Sequence, residues 1–258
     1  MCFALCTALL GLLCICQAAD EGPTLPRKIT CEGQYRSHLQ GIAGNRKDAL
    51  YWSFTDTLVK TDLSGRVLAR ASVKSHHGDL CYHKGLVYVA YSNTFNKPGA
   101  DSKVFIYDAA DLSPVGVKDI PEVTYGAGGI EAHNGRFYVI GGLPKEHTQN
   151  FVYEYDAQFR HLATHTIDSG YTNLGIQTIC FHEGFWWLGC YTVSGERRKG
   201  LLKTTEDFTL LADYNISPSV GIVSWGKAGL LVAQHFGEKW HARAVQARTD
   251  DEVGLVFD

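Results

Sequence analysis

The chain has 258 residues, of which 45% are hydrophobic and 20% charged. That balance supports a packed core and excludes an intrinsically disordered chain. The formal net charge of −3 lacks the basic field that nucleic-acid binding requires, so no nucleic-acid partner is expected.

Residues 1–18 contain no Lys, Arg, Asp or Glu and are almost wholly apolar from Phe3 to Cys16. This run falls short of the roughly 20 residues that span a bilayer as a helix. It predicts a secretory signal peptide over 1–18, cleaved after Ala18, because Cys16-Gln17-Ala18 places small residues at the recognition positions. An anchored first segment is the alternative. The remainder, 19–258, is expected to be one secreted or periplasmic domain with no transmembrane span in the mature chain. Lipid attachment at Cys14 or Cys16 is opposed by the bulky Leu13 and Ile15 before them. Cys31, Cys81, Cys180 and Cys190 remain after the leader, either as two disulfides or as buried free thiols. No CxxC spacing occurs, so no zinc motif is present.

The segment Arg27-Lys28-Ile29-Thr30-Cys31 reads as a first strand. A repeated unit then begins. Gln40-Gly41-Ile42-Ala43 leads into Ala49-Leu50-Tyr51-Trp52-Ser53. Gly78-Asp79-Leu80-Cys81-Tyr82-His83-Lys84-Gly85 leads into Leu86-Val87-Tyr88-Val89. Gly128-Gly129-Ile130-Glu131-Ala132-His133-Asn134-Gly135 leads into Arg136-Phe137-Tyr138-Val139. Gln177-Thr178-Ile179-Cys180-Phe181-His182-Glu183-Gly184 leads into Phe185-Trp186-Trp187-Leu188. Val220-Gly221-Ile222-Val223 leads into Gly229-Leu230-Leu231-Val232-Ala233. In the middle three copies, a His-x-Gly turn joins two apolar strands, and its glycine supplies the positive φ of a tight hairpin. Third and fourth strands follow, closing on acidic turns at Asp62, Asp108 and Asp156. The copies begin near 40, 78, 128, 177 and 220, spaced by 38, 50, 49 and 43 residues. A four-stranded propeller blade has about this period. The predicted fold is all-β: a five-bladed β-propeller whose N-terminal strand pairs with the C-terminal blade, the blade whose last strand includes Val253-Gly254-Leu255-Val256-Phe257, to close the ring. Six blades, one of them degenerate, is the alternative.

In a propeller, the entry to each first strand and the exit from each second strand share one rim. The entries here include His38 and Gln40, His76, His77 and Asp79, and Gln177; the exits include Asn93 and His235. These residues predict a mouth that binds a small ligand or an extracytoplasmic protein partner, with His38, Gln40, His76, His77, Asn93, Gln177 and His235 as binding candidates. A divalent metal is a candidate cofactor, with His76, His77 and Asp79 as candidate ligands, because imidazole and carboxylate suit such ions. Backbone bonding by the same residues in blade turns is the structural alternative. An enzymatic alternative uses Asp79 or Glu131 as a catalytic acid or base beside a rim histidine, for hydrolysis or lyase chemistry. Glu131 stands out because the other copies place Ala43, Cys81, Cys180 and Val223 at its position. His83, His133 and His182 recur at one repeat position on the opposite face, which assigns them to turn structure. Trp186-Trp187 is expected to pack between blades.

Leu50-Tyr51-Trp52-Ser53 with Asp62-Leu63-Ser64-Gly65 resembles the NHL- and YWTD-type propeller repeats. More distantly, the mature chain resembles the plant- and bacterial-type glutaminyl cyclases, exported five-bladed propellers. His38-Leu39-Gln40-Gly41-Ile42 resembles the Phe-Thr-Gln-Gly-Leu segment that opens their first blade. That resemblance implies glutaminyl-cyclase-like acyl transfer. It departs at the second blade, where Gly78, followed by Asp79, stands at the position of the family's essential Glu.

Overall fold

A computed structural model describes residues 25–192, 199–237 and 240–257; the predicted signal peptide lies outside them. A short β1 (Lys28–Thr30) precedes the first blade, formed by β2 (Leu39–Gly44), β3 (Ala49–Phe54), β4 (Thr57–Asp62) and β5 (Val67–Ser72). The second blade is β6 (His77–His83), β7 (Leu86–Asn93), β8 (Asp101–Asp108) and β9 (Pro114–Asp119). The third is β10 (Ala127–His133), β11 (Arg136–Gly141), β12 (Asn150–Tyr155) and β13 (His161–Ile167). The fourth is β14 (Asn173–His182), β15 (Phe185–Tyr191), β16 (Leu201–Thr204) and β17 (Leu210–Tyr214). The fifth contains β18 (Ile222–Ser224), β19 (Leu230–Phe236), β20 (His241–Asp250) and β21 (Gly254–Phe257). Each is an antiparallel sheet in sequential order, and the inner strands β2, β6, β10, β14 and β18 pack in a closed circle. The protein is a five-bladed β-propeller, and the six-bladed alternative is set aside because β18 packs directly on β2.

The ring closes as the sequence predicts, with one addition. β1 pairs with β20 through Lys28↔Val245 and Thr30↔Arg243. β21 pairs with the following stretch of β20, from Ala247↔Phe257 to Asp250↔Gly254. The fourth position of the last blade is therefore shared end to end by the two ends of the domain, which covers the outer edge of β20.

Strand periodicity explains the core. Successive side chains point to opposite faces of a sheet, and each inner sheet face meets a neighbouring blade. Trp52 accordingly packs towards the fifth blade with Val223, Leu231 and Ala244, while Tyr51 packs towards the second with Val87 and Val89. Trp186 joins Tyr138 and Ile140 of the third blade, and Trp187 joins Leu230 and Val232 of the fifth. Five apolar layers, one per blade interface, replace a single central core. Both faces of the second strands are thus buried, and β3 reads as an uninterrupted apolar run apart from Ser53. The outermost strands alternate or are wholly exposed, as in β5 and β9.

The turns are set by local chemistry. Lys84-Gly85, Asn134-Gly135 and Glu183-Gly184 all have positive φ at both positions, the signature of type I′ hairpins. Asp62 Oδ1 accepts the backbone N–H groups of Ser64 and Arg66, and Asp156 Oδ1 accepts those of Gln158 and Arg160. The acidic turns are therefore side-chain-capped. Cys31, Cys81, Cys180 and Cys190 are all buried and unbridged. Among the described residues no helix is long and apolar enough to cross a membrane.

Candidate functional site

The inner strands place a ladder of equivalent residues around the channel. At one level the five copies supply Gly41, Asp79, Gly129, Thr178 and Gly221. A Cβ at Gly41 would lie 2.1 Å from Asp79 Oδ1 and 2.5 Å from its Cα, and one at Gly129 would lie 3.2 Å from Asp79 Cβ. The Asp79 side chain thus occupies space that glycines leave free. Its Oδ2 accepts the Ile179 N–H from the fourth blade at 3.4 Å, and its Oδ1 has no hydrogen-bond partner. Burial pushes the Asp79 carboxyl well above the usual carboxylate range, against the pull of the Leu80, Ile179 and Ile42 amides, and nearby Glu131 raises it further. Gly41→Ala is expected to cost about 1–3 kcal/mol, since the added methyl meets Asp79 backbone that the ring holds in place; denaturant unfolding measures it.

Asp79 separates two mouths. The upper one, at the entries of the first strands, holds two adjoining cavities that share Tyr191. One, of about 180 Å3, is lined by Gln40, His76, Ser92, Phe95, Gln177 and Tyr191 among others. The second, of about 550 Å3, lies between His38, Tyr191, Ser219, Gln234, His235 and Trp240. Neither lining contains an Asp, Glu, Lys or Arg among the described residues. His38 stands beside His235 and Trp240, with ring centroids 6.1 and 5.6 Å away. His235 Nε2 lies 2.9 Å from Leu39 N and 3.3 Å from Leu39 O. Burial lowers the pKa of His38 and His235, and each ring is lowered further by a neighbouring histidine. Gln177 Nε2 donates to Leu174 O at 2.7 Å, leaving its carbonyl for a ligand.

The structure brings together five of the binding candidates, His38, Gln40, His76, Gln177 and His235. Two are placed elsewhere. Asn93 is exposed at the end of β7 and lines neither cavity. His77 is fully buried within its blade: Nδ1 meets Lys74 O at 2.6 Å and Nε2 meets the Tyr107 hydroxyl at 2.8 Å. With both His77 nitrogens engaged and Asp79 buried in the channel, the candidate ligand set His76, His77 and Asp79 is not assembled. Among the described residues no three His, Cys, Asp or Glu side chains converge as a metal site. The catalytic candidates also part company with the rim histidines. Asp79 lines neither upper cavity, and Glu131 opens on the lower mouth with Arg46 and His83. Sequence reasoning missed Phe95 and Trp240. Trp240 is brought in by a bridge to Tyr35, a contact with no local sequence signal.

The adjacent histidines make a direct contrast. His76 is exposed and held at φ 76°, so His76→Gly is expected to change stability by less than about 1 kcal/mol. Thermal or urea unfolding of the variant checks this.

Among solved structures, the fold is similar to an α-L-arabinofuranosidase from Clostridium thermocellum, with a TM-score of 0.58 and 14% identity over 88% of this chain and 94% of that one. A quinohemoprotein alcohol dehydrogenase from Comamonas testosteroni matches with a TM-score of 0.47 and 10% identity, over 87% of this chain and 41% of that one. At 14% identity the likeness to the arabinofuranosidase is one of fold alone. No protein-family model and no curated protein matches the chain, so no family match carries the resemblance to NHL or YWTD repeats or to glutaminyl cyclases.

Proposed function

We propose that the protein is an exported binding module that takes an uncharged small molecule, bearing hydroxyl or amide groups on an apolar ring face, at the upper mouth. One observation carries the reading: two adjoining cavities share Tyr191 and are lined by aromatic and neutral polar side chains with no ionised carboxylate, ammonium or guanidinium group among the described residues. Aromatic walls with a few convergent polar groups suit such a ligand. Gln177 offers a free carbonyl and His76 an exposed imidazole, while Phe95 and Trp240 offer ring faces. Catalysis by Asp79 with a rim histidine has no support in this geometry, because the carboxyl is sealed beneath the mouth. Export rests on the leader-like segment 1–18.

Thermal-shift screening with neutral monosaccharides, nucleosides and cyclic amides tests the reading. A hit is expected to lose its stabilising effect in Gln177→Leu and in Tyr191→Ala. Stabilisation that is equal in wild type and both variants places the ligand elsewhere and refutes this site.

A further inference from the structure

The lower mouth differs from the upper in chemistry. Two cavities of about 240 and 530 Å3 meet there, and both are lined by Arg46, His83 and Glu131. Lys84 borders the first, and His182, Glu183 and Lys227 border the second. Three of these groups, Arg46, Lys84 and Lys227, are basic side chains.

Arg46 is fixed by its local sequence. In the turn between β2 and β3, Asn45 Oδ1 accepts the N–H groups of Lys47, Asp48 and Ala49. That cap holds Arg46 at φ 57° and sends its side chain across to the fifth blade, where Nε donates to Ser224 O at 3.1 Å. Its Nη groups have no hydrogen-bond partner among the described residues. The remaining groups divide into engaged and free. His182 Nδ1 meets Ser224 Oγ at 3.0 Å, and His133 Nε2 meets Glu206 at 3.1 Å. His83 touches the Phe137 ring edge-on and has no hydrogen-bond partner among the described residues. Glu131 Oε1 accepts only its neighbour's amide, Ala132 N–H, at 2.8 Å.

We propose that the lower mouth is a second binding site, which takes a small oxyanion, a phosphate or a short carboxylate, between the Arg46 guanidinium, His83 and Glu131. A guanidinium anchored through Nε with its fork free matches the paired oxygens of such an anion. Glu131 makes the site respond to pH. Burial lifts its carboxyl to about 7, with the Ala132 amide and Arg46 drawing it down. Below that pH it is a neutral hydrogen-bond donor to the anion; above it, it is a repelling charge. The groups around it are Arg46 from the first blade, Asp79, Cys81, Tyr82, His83 and Lys84 from the second, His133 from its own blade, Cys180, His182 and Glu183 from the fourth, and Lys227 from the fifth. Burial keeps both thiols protonated and lowers the pKa of His83 and His182. The two histidines therefore gain charge only further into acid and reinforce the same direction.

The test is calorimetric titration of the purified protein with sodium sulfate and with sodium acetate, at constant ionic strength, at pH 6 and pH 8. Both probes keep their charge across that interval. Saturable binding is expected at pH 6 and about tenfold weaker at pH 8. Arg46→Gln is expected to weaken binding at pH 6 by about tenfold or more, while Lys118→Gln, on the exposed outer strand of the second blade, leaves it unchanged. Glu131→Gln is expected to retain binding and to remove most of the difference between the two pH values. Sulfate preferred over acetate assigns the site to phosphate groups, and the reverse assigns it to carboxylates. No saturable binding of either probe at pH 6, binding indifferent to Arg46→Gln, or a pH dependence that survives Glu131→Gln overturns the proposal. Arg46 is exposed in a turn, so the variant's unchanged melting temperature without anion separates lost binding from lost folding.

Discussion

Trp186→Ala is expected to lower the unfolding free energy by about 3–5 kcal/mol. The indole is fully buried at the interface of the third and fourth blades, stacked on Phe208 with ring centroids 5.2 Å apart and tilted against Tyr138 at 4.8 Å. Its Nε1 donates to Glu206 O at 3.1 Å. Truncation removes the largest side chain of this interblade layer and leaves a carbonyl without its donor. The neighbouring Trp187 provides the internal comparison. It is equally buried, but its Nε1 has no hydrogen-bond partner. Trp187→Phe removes an unsatisfied buried donor along with some ring area, so it is expected to cost under about 1.5 kcal/mol. Urea unfolding of the two variants distinguishes them, and equal losses would show that the layers do not pack as described.

The second large effect is a pH dependence built from two buried groups of opposite sign. Burial lowers His77 from 6.5 to about 4, with Lys74 O holding Nδ1 against that fall and the Lys74 charge adding to it. A histidine depressed in the folded state contributes stability that is complete above its unfolded pKa and lost as pH falls from 6.5 towards 4. The fall from 6.5 to about 4 corresponds to about 3 kcal/mol. Asp79 acts the other way. Its folded pKa is raised, so its contribution is complete below the ordinary carboxylate range and lost as pH rises through the folded value. The wild-type profile is thus flattened where the two oppose one another. His77→Gln is expected to be less stable than wild type at pH 7 and to lose less of its stability than wild type does on acidification. Asp79→Asn is expected to gain relative to wild type as pH rises from 4 to 8. Melting temperatures across that range decide it; parallel curves for all three proteins would mean that neither group titrates as its burial requires.

The ring was legible in the sequence because its signals are local and repeated. Each His-x-Gly turn needs two residues at positive φ, and each second strand is apolar on both faces because it is buried on both. Ring closure by β1 was legible from the same strand chemistry. The division of the mouths was not. Inner strands of the first four blades carry register shifts at their entries, at Leu39/Gly41, His77/Leu80, Ala127/Gly129 and Asn173/Ile176. A one-residue irregularity reverses which side chain faces the mouth. Adjacent His76 and His77 therefore take opposite fates, and Asp79 turns into the channel. Glu131 stands out in the sequence as a carboxylate at a small-residue position, but Arg46, which lines the same cavities, lies in the irregular turn of a loose copy. His83 and His182 are the last residues of β6 and β14, paired across the hairpin rather than within its turn; they also line a cavity, because the hairpin ends of a propeller surround its lower mouth.

Trp240 offers the most direct test of the upper mouth. Of the five tryptophans, Trp52, Trp186, Trp187 and Trp225 are buried, while Trp240 is 41% exposed and lines the larger upper cavity. Its fluorescence reports occupancy there. Titration with a neutral ligand identified by thermal shift is expected to give a saturable change in emission that disappears in Trp240→Phe and in Tyr191→Ala and persists in Arg46→Gln. A change that survives Tyr191→Ala but is lost in Arg46→Gln would place that ligand at the opposite mouth and contradict the account.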